Sequence, residues 1–480
     1  MLKRLMAIRI SRESLAAILL IAVFSAFILV NFNFGFNLFF YAIIAIIGLI
    51  IPLIYPRAGI YAIVVLMLIF AKFFSLQSII IDDAEYKFYL VDIIFSASLF
   101  SIFLRLLAGK IKVKLQRVDF ILIAFLILTI AYFIISISYL DSFFNPAFSS
   151  LKNYVFYPLL YFAVYFLFTA REHWTRFFKF LIVGATTVVG FIAYGLITGQ
   201  GLWTEITPLT TSGSRILDFD HAFYISAIFL IGLAYILFKK DELAKYFYIL
   251  LPIFAIGIVG SLMRHLWIAI FIAIVFLYII IYQQRKKIFR KVFAKYVALG
   301  LMIFSVIFLL VNLLPFSKLS ADYFSVQENV IERAVSISNS QDTSIAWRNT
   351  VWQGVWKEYK QNLVFGMGFG RRIFIDMGGY SDYVEVRNIH NSWLAIFVQM
   401  GLLGIGFLIW FIINIAKHVL SKKQAVLTKN LNIIRIATMS ILMLCVVAFL
   451  FQPYLEANFF SWLFWINLGL ARRYYEGITS

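Results

Sequence analysis

The sequence predicts an all-α polytopic integral membrane protein, with about fourteen transmembrane helices and one long outer loop that carries amphipathic helices. Three observations predict it. Hydrophobic residues make up 63% of the 480 and charged residues only 14%, a balance outside the range of soluble domains. Apolar runs of about 20 residues, the length that crosses roughly 30 Å of hydrocarbon as a helix, recur along the chain. Basic residues, which bring the net charge to +19, fall in groups between those runs.

Taken in order, the apolar runs lie near 14–34, 36–55, 58–76, 88–107, 118–140, 153–170, 177–198, 220–238, 246–263, 265–283, 296–315, 390–415, 436–453 and 457–471. The first follows the basic start Lys3 to Arg12 without a small-residue cleavage site, which reads as a retained signal anchor. The stretch Tyr246 to Tyr282 is too long for one crossing and is flanked by basic groups at both ends, so it should cross twice as a hairpin with "GSLMRHLW", Gly260 to Trp267, at its tip. The basic groups are Lys3 to Arg12, Arg57, Arg105 to Arg117, Arg171 to Lys179, Lys239 to Lys245, Arg285 to Lys295, Lys417 to Arg435, and Arg472 with Arg473. Placing all of them in the cytoplasm obeys the positive-inside rule and puts both termini inside. The charge therefore reports topology and excludes nucleic acid as a partner. Cys445, inside an apolar run, supports neither a disulfide framework nor a cysteine metal site, and no metal or cofactor is expected.

Four regions follow: N-terminal helices over 1–198, helices bearing outer-facing arginines over 199–315, the long loop over 316–389, and C-terminal helices over 390–480. The loop holds eight Lys+Arg against eight Asp+Glu, unlike the basic cytoplasmic loops. A connector of that length is more often functional than passive. Within it, Trp347, Val351, Trp352, Val355, Trp356 and Tyr359 recur at helical spacing opposite Asn349, Gln353, Lys357 and Lys360. That pattern predicts an amphipathic helix along the membrane interface or over a cavity. "FGMGFGRR" after it reads as a turn; Gly401 and Gly404 read as a small-residue face that lets one straight helix pack closely.

Carboxylates are scarce deep in the runs, which disfavours ion-coupled transport. The topology instead gathers Arg215, Arg264, Arg348 and His390 on the outer side. Guanidinium groups form bidentate bonds to phosphate oxygens, and a neutral imidazole serves as a general base near physiological pH, so the set suits a diphosphate and a hydroxyl to be deprotonated. Other readings of the same residues stay open: a hairpin-tip arginine also snorkels to lipid phosphate, and a histidine beside Asn388 also caps a helix.

His390-Asn391, nine residues, then Gly401-Leu402-Leu403-Gly404 resembles the His-Asn-x9-Gly-x-x-Gly pattern of the O-antigen ligase and polymerase superfamily. "AWRNTVWQGVWKEYKQNLVFGMGFG" is similar to that family's arginine-led amphipathic helix and glycine turn, and "GSLMRHLW" to its arginine hairpin. Arg215 occupies the place of an arginine before the next span. The likeness runs over roughly 202–410. Where many members carry Asn-Pro-Asn-like residues, this chain has Asp218-Phe219-Asp220-His221.

The resemblance implies a metal-independent glycosyltransferase of the GT-C type, acting at the outer face of the cytoplasmic (inner) membrane on an undecaprenyl-diphosphate-linked glycan. Its acceptor would be a glycan or lipid molecule, and membrane lipids would surround it. It implies that His390 activates the acceptor hydroxyl and that Arg215 and Arg264 hold the diphosphate. Arg348, Asn391, His265 and His221 complete the expected set as substrate-binding residues. A ligase and a polymerase share this donor chemistry, and an exporter that uses the arginines only for binding is the rival from another class.

Overall fold

The computed structural model describes residues 11–70, 77–82, 84–198, 215–238, 242–281, 285–296, 343–376, 381–421 and 429–476, together with 283 and 298. It is a helical, multi-pass membrane protein. Eight of its described helices are long and apolar enough to cross a membrane, and three more apolar helices are shorter. The run expected near 296–315 and the first part of the long loop lie outside the described residues.

The chain forms two compact units, one from Met1–Val113 and Ala163–Tyr224, the other from Lys114–Phe162 and Ile225–Gly477. The first contains α1 (Arg12–Phe34), α2 (Leu38–Ile54), α3 (Pro56–Ile69), a short hairpin of β1 (Ile79–Ile81) and β2 (Ala84–Tyr86), and α4 (Leu90–Leu107). Helix α3 starts at Pro56, where a missing N–H costs nothing, and is buried along nearly its whole length against α1, α2 and α4. At one end of this unit Glu13 bridges Arg57 at 2.6 Å and Arg176 at 3.2 Å.

The second unit opens with α5 (Arg117–Tyr139), whose start is a capping box between Gln116 and Asp119. Next come α6 (Phe144–Leu151), a π turn (Lys152–Phe156) and α7 (Leu159–Leu167), which runs on into the first unit. The single span expected near 153–170 is therefore split in two, the π turn and α7. Pro158 has no N–H to extend the ladder, and the wider turn before it closes instead through Tyr157 N to Lys152 O at 3.1 Å. After α8 (Arg171–Thr198), which packs on α3 in the first unit, comes α9 (Phe219–Phe238). The expected hairpin then appears as α10 (Glu242–Gly260) and α11 (Arg264–Ile280), joined by Ser261 to Met263 with Leu262 at φ +57°.

The described part of the long loop contains the expected amphipathic helix, α12 (Thr343–Tyr359), and a hairpin of β3 (Arg372–Asp376) and β4 (Ser381–Glu385) paired Arg372 to Glu385 through Asp376 to Ser381. Alternation in β3 turns Ile373 and Ile375 inward onto Val351, Val355 and Tyr359 of α12, where they join Val386, Ile389 and Ala395 in one apolar cluster. The chain ends with α13 (Ser392–Leu420), α14 (Lys429–Ala448) and α15 (Asn458–Glu476). Helix α13 lies along α5 and α15, and α11 along α14. Asp119 and Arg472, both almost fully buried, pair at 2.9 Å, with the Tyr161 hydroxyl donating to the same carboxylate at 2.6 Å.

Helix α13 is not the straight rod expected from its glycines. Gly401 sits at φ +63°, ψ −164° and breaks it. The loop segment 363–368 fills the gap. Met367 N donates to Val398 O at 2.8 Å and Gly368 N to Gln399 O at 3.0 Å, while Leu402 N donates to Leu363 O at 3.0 Å. The groups orphaned by the break are thus paired by backbone, as an apolar surrounding requires. A Cβ on Gly401 would lie 2.1 Å from Val364 O, and one on Gly366 (φ +77°) 2.6 Å from the Gln399 backbone. The glycine-rich stretch is a docking surface for a broken helix, a role that glycine alone permits.

Candidate functional site

The second unit assembles its candidate residues around one connection, Phe449 to Ala457, between α14 and α15. The start of α13 is stitched to it. Ser392 N donates to Phe449 O at 2.8 Å, Ser392 Oγ donates to Gln452 O at 2.9 Å, and Leu455 N donates to Ser392 Oγ at 3.1 Å. Asn391 takes the N-cap position, its Oδ1 accepting from Leu394 N at 3.0 Å. The chain must turn into that cap, and His390 does so at φ +55°, a left-handed conformation that histidine adopts more readily than bulkier residues.

The turn points the half-buried imidazole at α12. Trp347 meets it edge to face, with ring centroids 4.8 Å apart, and the neighbouring indole of Trp352 donates to Ile389 O at 2.8 Å. Burial lowers the imidazole pKa below its usual value, and the Arg348 guanidinium lowers it further, while the Gln452 side chain pulls in the opposite direction. The net shift keeps His390 neutral at physiological pH. Nδ1 is buried with no hydrogen-bond partner among the described residues. Among the described residues, the charge that acts on this histidine is a cation, Arg348.

Arg264 is the first residue of α11, half-buried, directly after the strained turn. That turn is tied back by Ser261 Oγ to Ile258 O at 2.6 Å and by the Trp267 indole to the same carbonyl at 2.9 Å. His265, beside it, meets the Tyr454 hydroxyl at 2.7 Å and stacks loosely on Phe451 and Tyr454. The 449–457 connection therefore touches both the α11 start and the α13 start. Arg264, His265, Arg348, His390 and Asn391 all belong to this unit.

Arg215 and His221 belong to the other unit. The Arg215 guanidinium lies over the Phe219 ring at 4.8 Å, and the close approach of Gly195 to Ile216 sets the path of its segment. His221 is fully buried, with Nε2 3.1 Å from Ile69 O and its ring 5.3 Å from Phe191. Asp218 holds the start of α9, its Oδ1 accepting from Phe219 N.

Gln452, Tyr454 and Glu456 escaped the sequence reading. In "FLFQPYLEANFF" three polar residues and a proline separate two apolar runs, and Glu456 there is a carboxylate at a span boundary of the kind that invites attention. It is 5% exposed. Gln399, within α13, was equally legible as a polar residue in an apolar run. Trp347 was read as part of an apolar stripe; its contact with His390 depends on how the loop folds back.

The family model described as O-Antigen ligase matches residues 247–411. The match takes in Arg264, His265, Arg348, His390, Asn391 and the Gly401 break, and excludes Arg215, His221 and Glu456. No curated protein matches the chain.

Proposed function

We propose, from the premise that residues 247–411 are an O-antigen ligase domain, that the protein is a GT-C-type glycosyltransferase of the O-antigen ligase kind. It moves a glycan from undecaprenyl diphosphate to an acceptor hydroxyl at the outer face of the cytoplasmic membrane, without a metal. The acceptor oxygen attacks the anomeric carbon as the bond to the diphosphate breaks, so the centre inverts. The hydroxyl proton passes to His390, and the electron pair leaves with the diphosphate. Arg264 binds that diphosphate, and Arg348 approaches it from α12; for Arg215, which belongs to the other unit, the diphosphate role rests on the sequence resemblance. Fixed cationic donors aimed at developing negative charge act most strongly where water is scarce.

The observation that carries the reading is His390 itself. It is half-buried against Trp347, kept neutral by burial and by Arg348, and fixed by a cap and a stitched connection. A histidine needed only for packing has no use for a neighbouring guanidinium, which destabilises its charged form.

The test is transfer by purified protein supplied with lipid-linked glycan and candidate acceptors, in chelator. His390→Ala should abolish transfer while the donor still binds; full transfer in that variant refutes the base. The product, a longer lipid-linked chain or a new conjugate, separates a polymerase from a ligase, and an exporter makes neither.

A further inference from the structure

Glu456 takes no part in the reaction above, yet it is a buried carboxylate, the one that the 449–457 connection contains. Its backbone carbonyl accepts from Asn153 Nδ2 at 2.7 Å, and its own N–H donates to Pro453 O at 3.0 Å. Its Oε1 accepts from Gln399 Nε2 at 2.6 Å. Ser150 Oγ lies 3.1 Å from Glu456 Oε2 and 3.1 Å from Gln399 Oε1. Ser150 and Gln399 are themselves almost completely buried.

Counting protons decides what this cluster is. Gln399 Nε2 faces two acceptors, Glu456 Oε1 and Ala395 O, the second of which is a carbonyl that only accepts; the amide orientation is thereby fixed. Gln399 Oε1 then needs a donor, and among the described residues Ser150 is the one within reach. A hydroxyl has one proton. If Ser150 gives it to Gln399, the short approach of Ser150 Oγ to Glu456 Oε2 is a bond only when Glu456 carries the proton. With Glu456 ionised, Ser150 must turn to the carboxylate, and the buried Gln399 oxygen loses its donor. The neutral acid satisfies Ser150, Gln399 and itself; the anion leaves that ring one proton short, which is costly in a buried network, and the Tyr154 hydroxyl beside it favours the anion without closing the ring.

Arg387 does not supply a counter-ion that would reverse this. Its Nε donates to Glu385 at 2.9 Å, and it also bonds the Ser149 hydroxyl. Glu385 is pulled below the usual carboxylate range because hydrogen bonds and charge from Arg387 and Arg372 outweigh its burial. The groups that act on Glu456 are thus Arg387, from the turn before α13, and Tyr154, from the π turn. Burial raises the Glu456 pKa more than Arg387 and the hydrogen bonds of its neighbours lower it.

We propose that Glu456 is a positioning residue held as the neutral acid, whose proton closes a hydrogen-bond ring with Ser150 and Gln399 and so clamps the connection that grips Ser392 and faces His390. The inference rests on the proposed function in one respect, that His390 is the group being positioned. A carboxyl whose folded-state pKa is raised lends stability that is complete below the ordinary carboxyl range and is lost as pH rises through the raised value.

The experiment uses the full chain in lipid nanodiscs, wild type against Glu456→Gln, Glu456→Asp and Glu456→Ala. Glutamine keeps the ring, its amide donating to Ser150 and its oxygen accepting from Gln399; aspartate is too short to do so. The infrared difference between wild type and Glu456→Gln should contain a carboxylic-acid C=O stretch. Only carboxylate bands there overturn the proposal. Thermal unfolding from about pH 5 to about pH 9 should show wild type losing stability relative to Glu456→Gln as pH rises, and parallel curves count against it. Transfer by Glu456→Asp and Glu456→Ala should fall about tenfold to a hundredfold, as a misplaced group of this kind costs. Glu456→Gln should restore it, with an unchanged acid limb and no alkaline decline. A Glu456→Gln enzyme as impaired as Glu456→Ala means that the negative charge is what matters, and refutes the neutral acid. If His390→Ala keeps full transfer while the acid band stands, the general base fails and the ring survives.

Discussion

Under the proposed function, His390 would owe its reactivity to three neighbours of different kinds: Trp347 removes water from one side, Arg348 disfavours a second positive charge, and Asn391 fixes the backbone that aims the ring. The direction of the pH dependence follows. A base with a lowered pKa remains unprotonated to lower pH, so the acid limb of the transfer rate should fall below the usual imidazole range near 6.5. Arg348→Gln removes one cause of the lowering, and the limb should move upward, as read from rate–pH profiles of both proteins; an unmoved limb would show that burial alone sets it. For the arginines the measurable quantity is affinity. Arg264→Ala and Arg215→Ala should each weaken binding of a polyprenyl diphosphate, by about tenfold or more for loss of a charge-assisted contact. Exposed Arg171→Ala should leave binding alone, and equal affinities across all three would remove the diphosphate role.

At the scale of elements, what was legible and what was not divides by the range of the interaction. The amphipathic α12 and the α10–α11 hairpin could be read directly, since apolar spacing and flanking charge are local signals. The break in α13 could not. Two glycines in an apolar run look the same whether they pack against a neighbour or adopt φ +63°, and only the docking of 363–368 selects the second. The Glu456 ring was hidden for the same reason, since Ser150 and Glu456 are 306 residues apart and meet through the π turn region. The His-Asn pair was read as chemistry; the structure adds that Asn391 caps α13, a role the pattern did not announce. The break makes its own prediction. Gly401→Ala forces a Cβ into left-handed backbone and onto the Val364 carbonyl, and should cost about 1–3 kcal/mol or more, measured as a lowered unfolding midpoint; alanine tolerated without loss would mean the gap closes in the membrane.

Across the whole molecule, the charge pattern predicts the orientation, and the chain offers a clean way to test it. Its single cysteine, Cys445, is buried, so an introduced thiol reports without background. Ser381→Cys on the β3–β4 hairpin should react with an impermeant maleimide added to intact cells, and Lys110→Cys, between α4 and α5, should react only after the membrane is opened. The opposite pattern would invert the topology and the proposed side of the reaction. Global stability has its own anchor in the Asp119–Arg472 pair. Removing either partner strands a buried charge, and Asp119→Ala should cost about 3–5 kcal/mol and lower the yield of folded protein, whereas a milder loss would indicate that water reaches the pair.

The Gly401 break also bears on how the protein meets bilayers of different thickness. A continuous span that carries a reactive residue at its head moves that residue whenever the helix tilts to match the hydrocarbon around it. Here the piece from Ser392 to Met400 is only about 13 Å long and is held by protein at both ends, by the 449–457 connection at its start and by the 363–368 segment at the break. The remainder, from Leu402 to Leu420, exposes Leu402, Ile409, Trp410 and Ile413 on one side and packs Phe411, Ile415 and Val419 into the unit on the other. Turnover in short-chain and long-chain phosphatidylcholine should differ little, because the reacting end takes its height from the protein and not from the membrane.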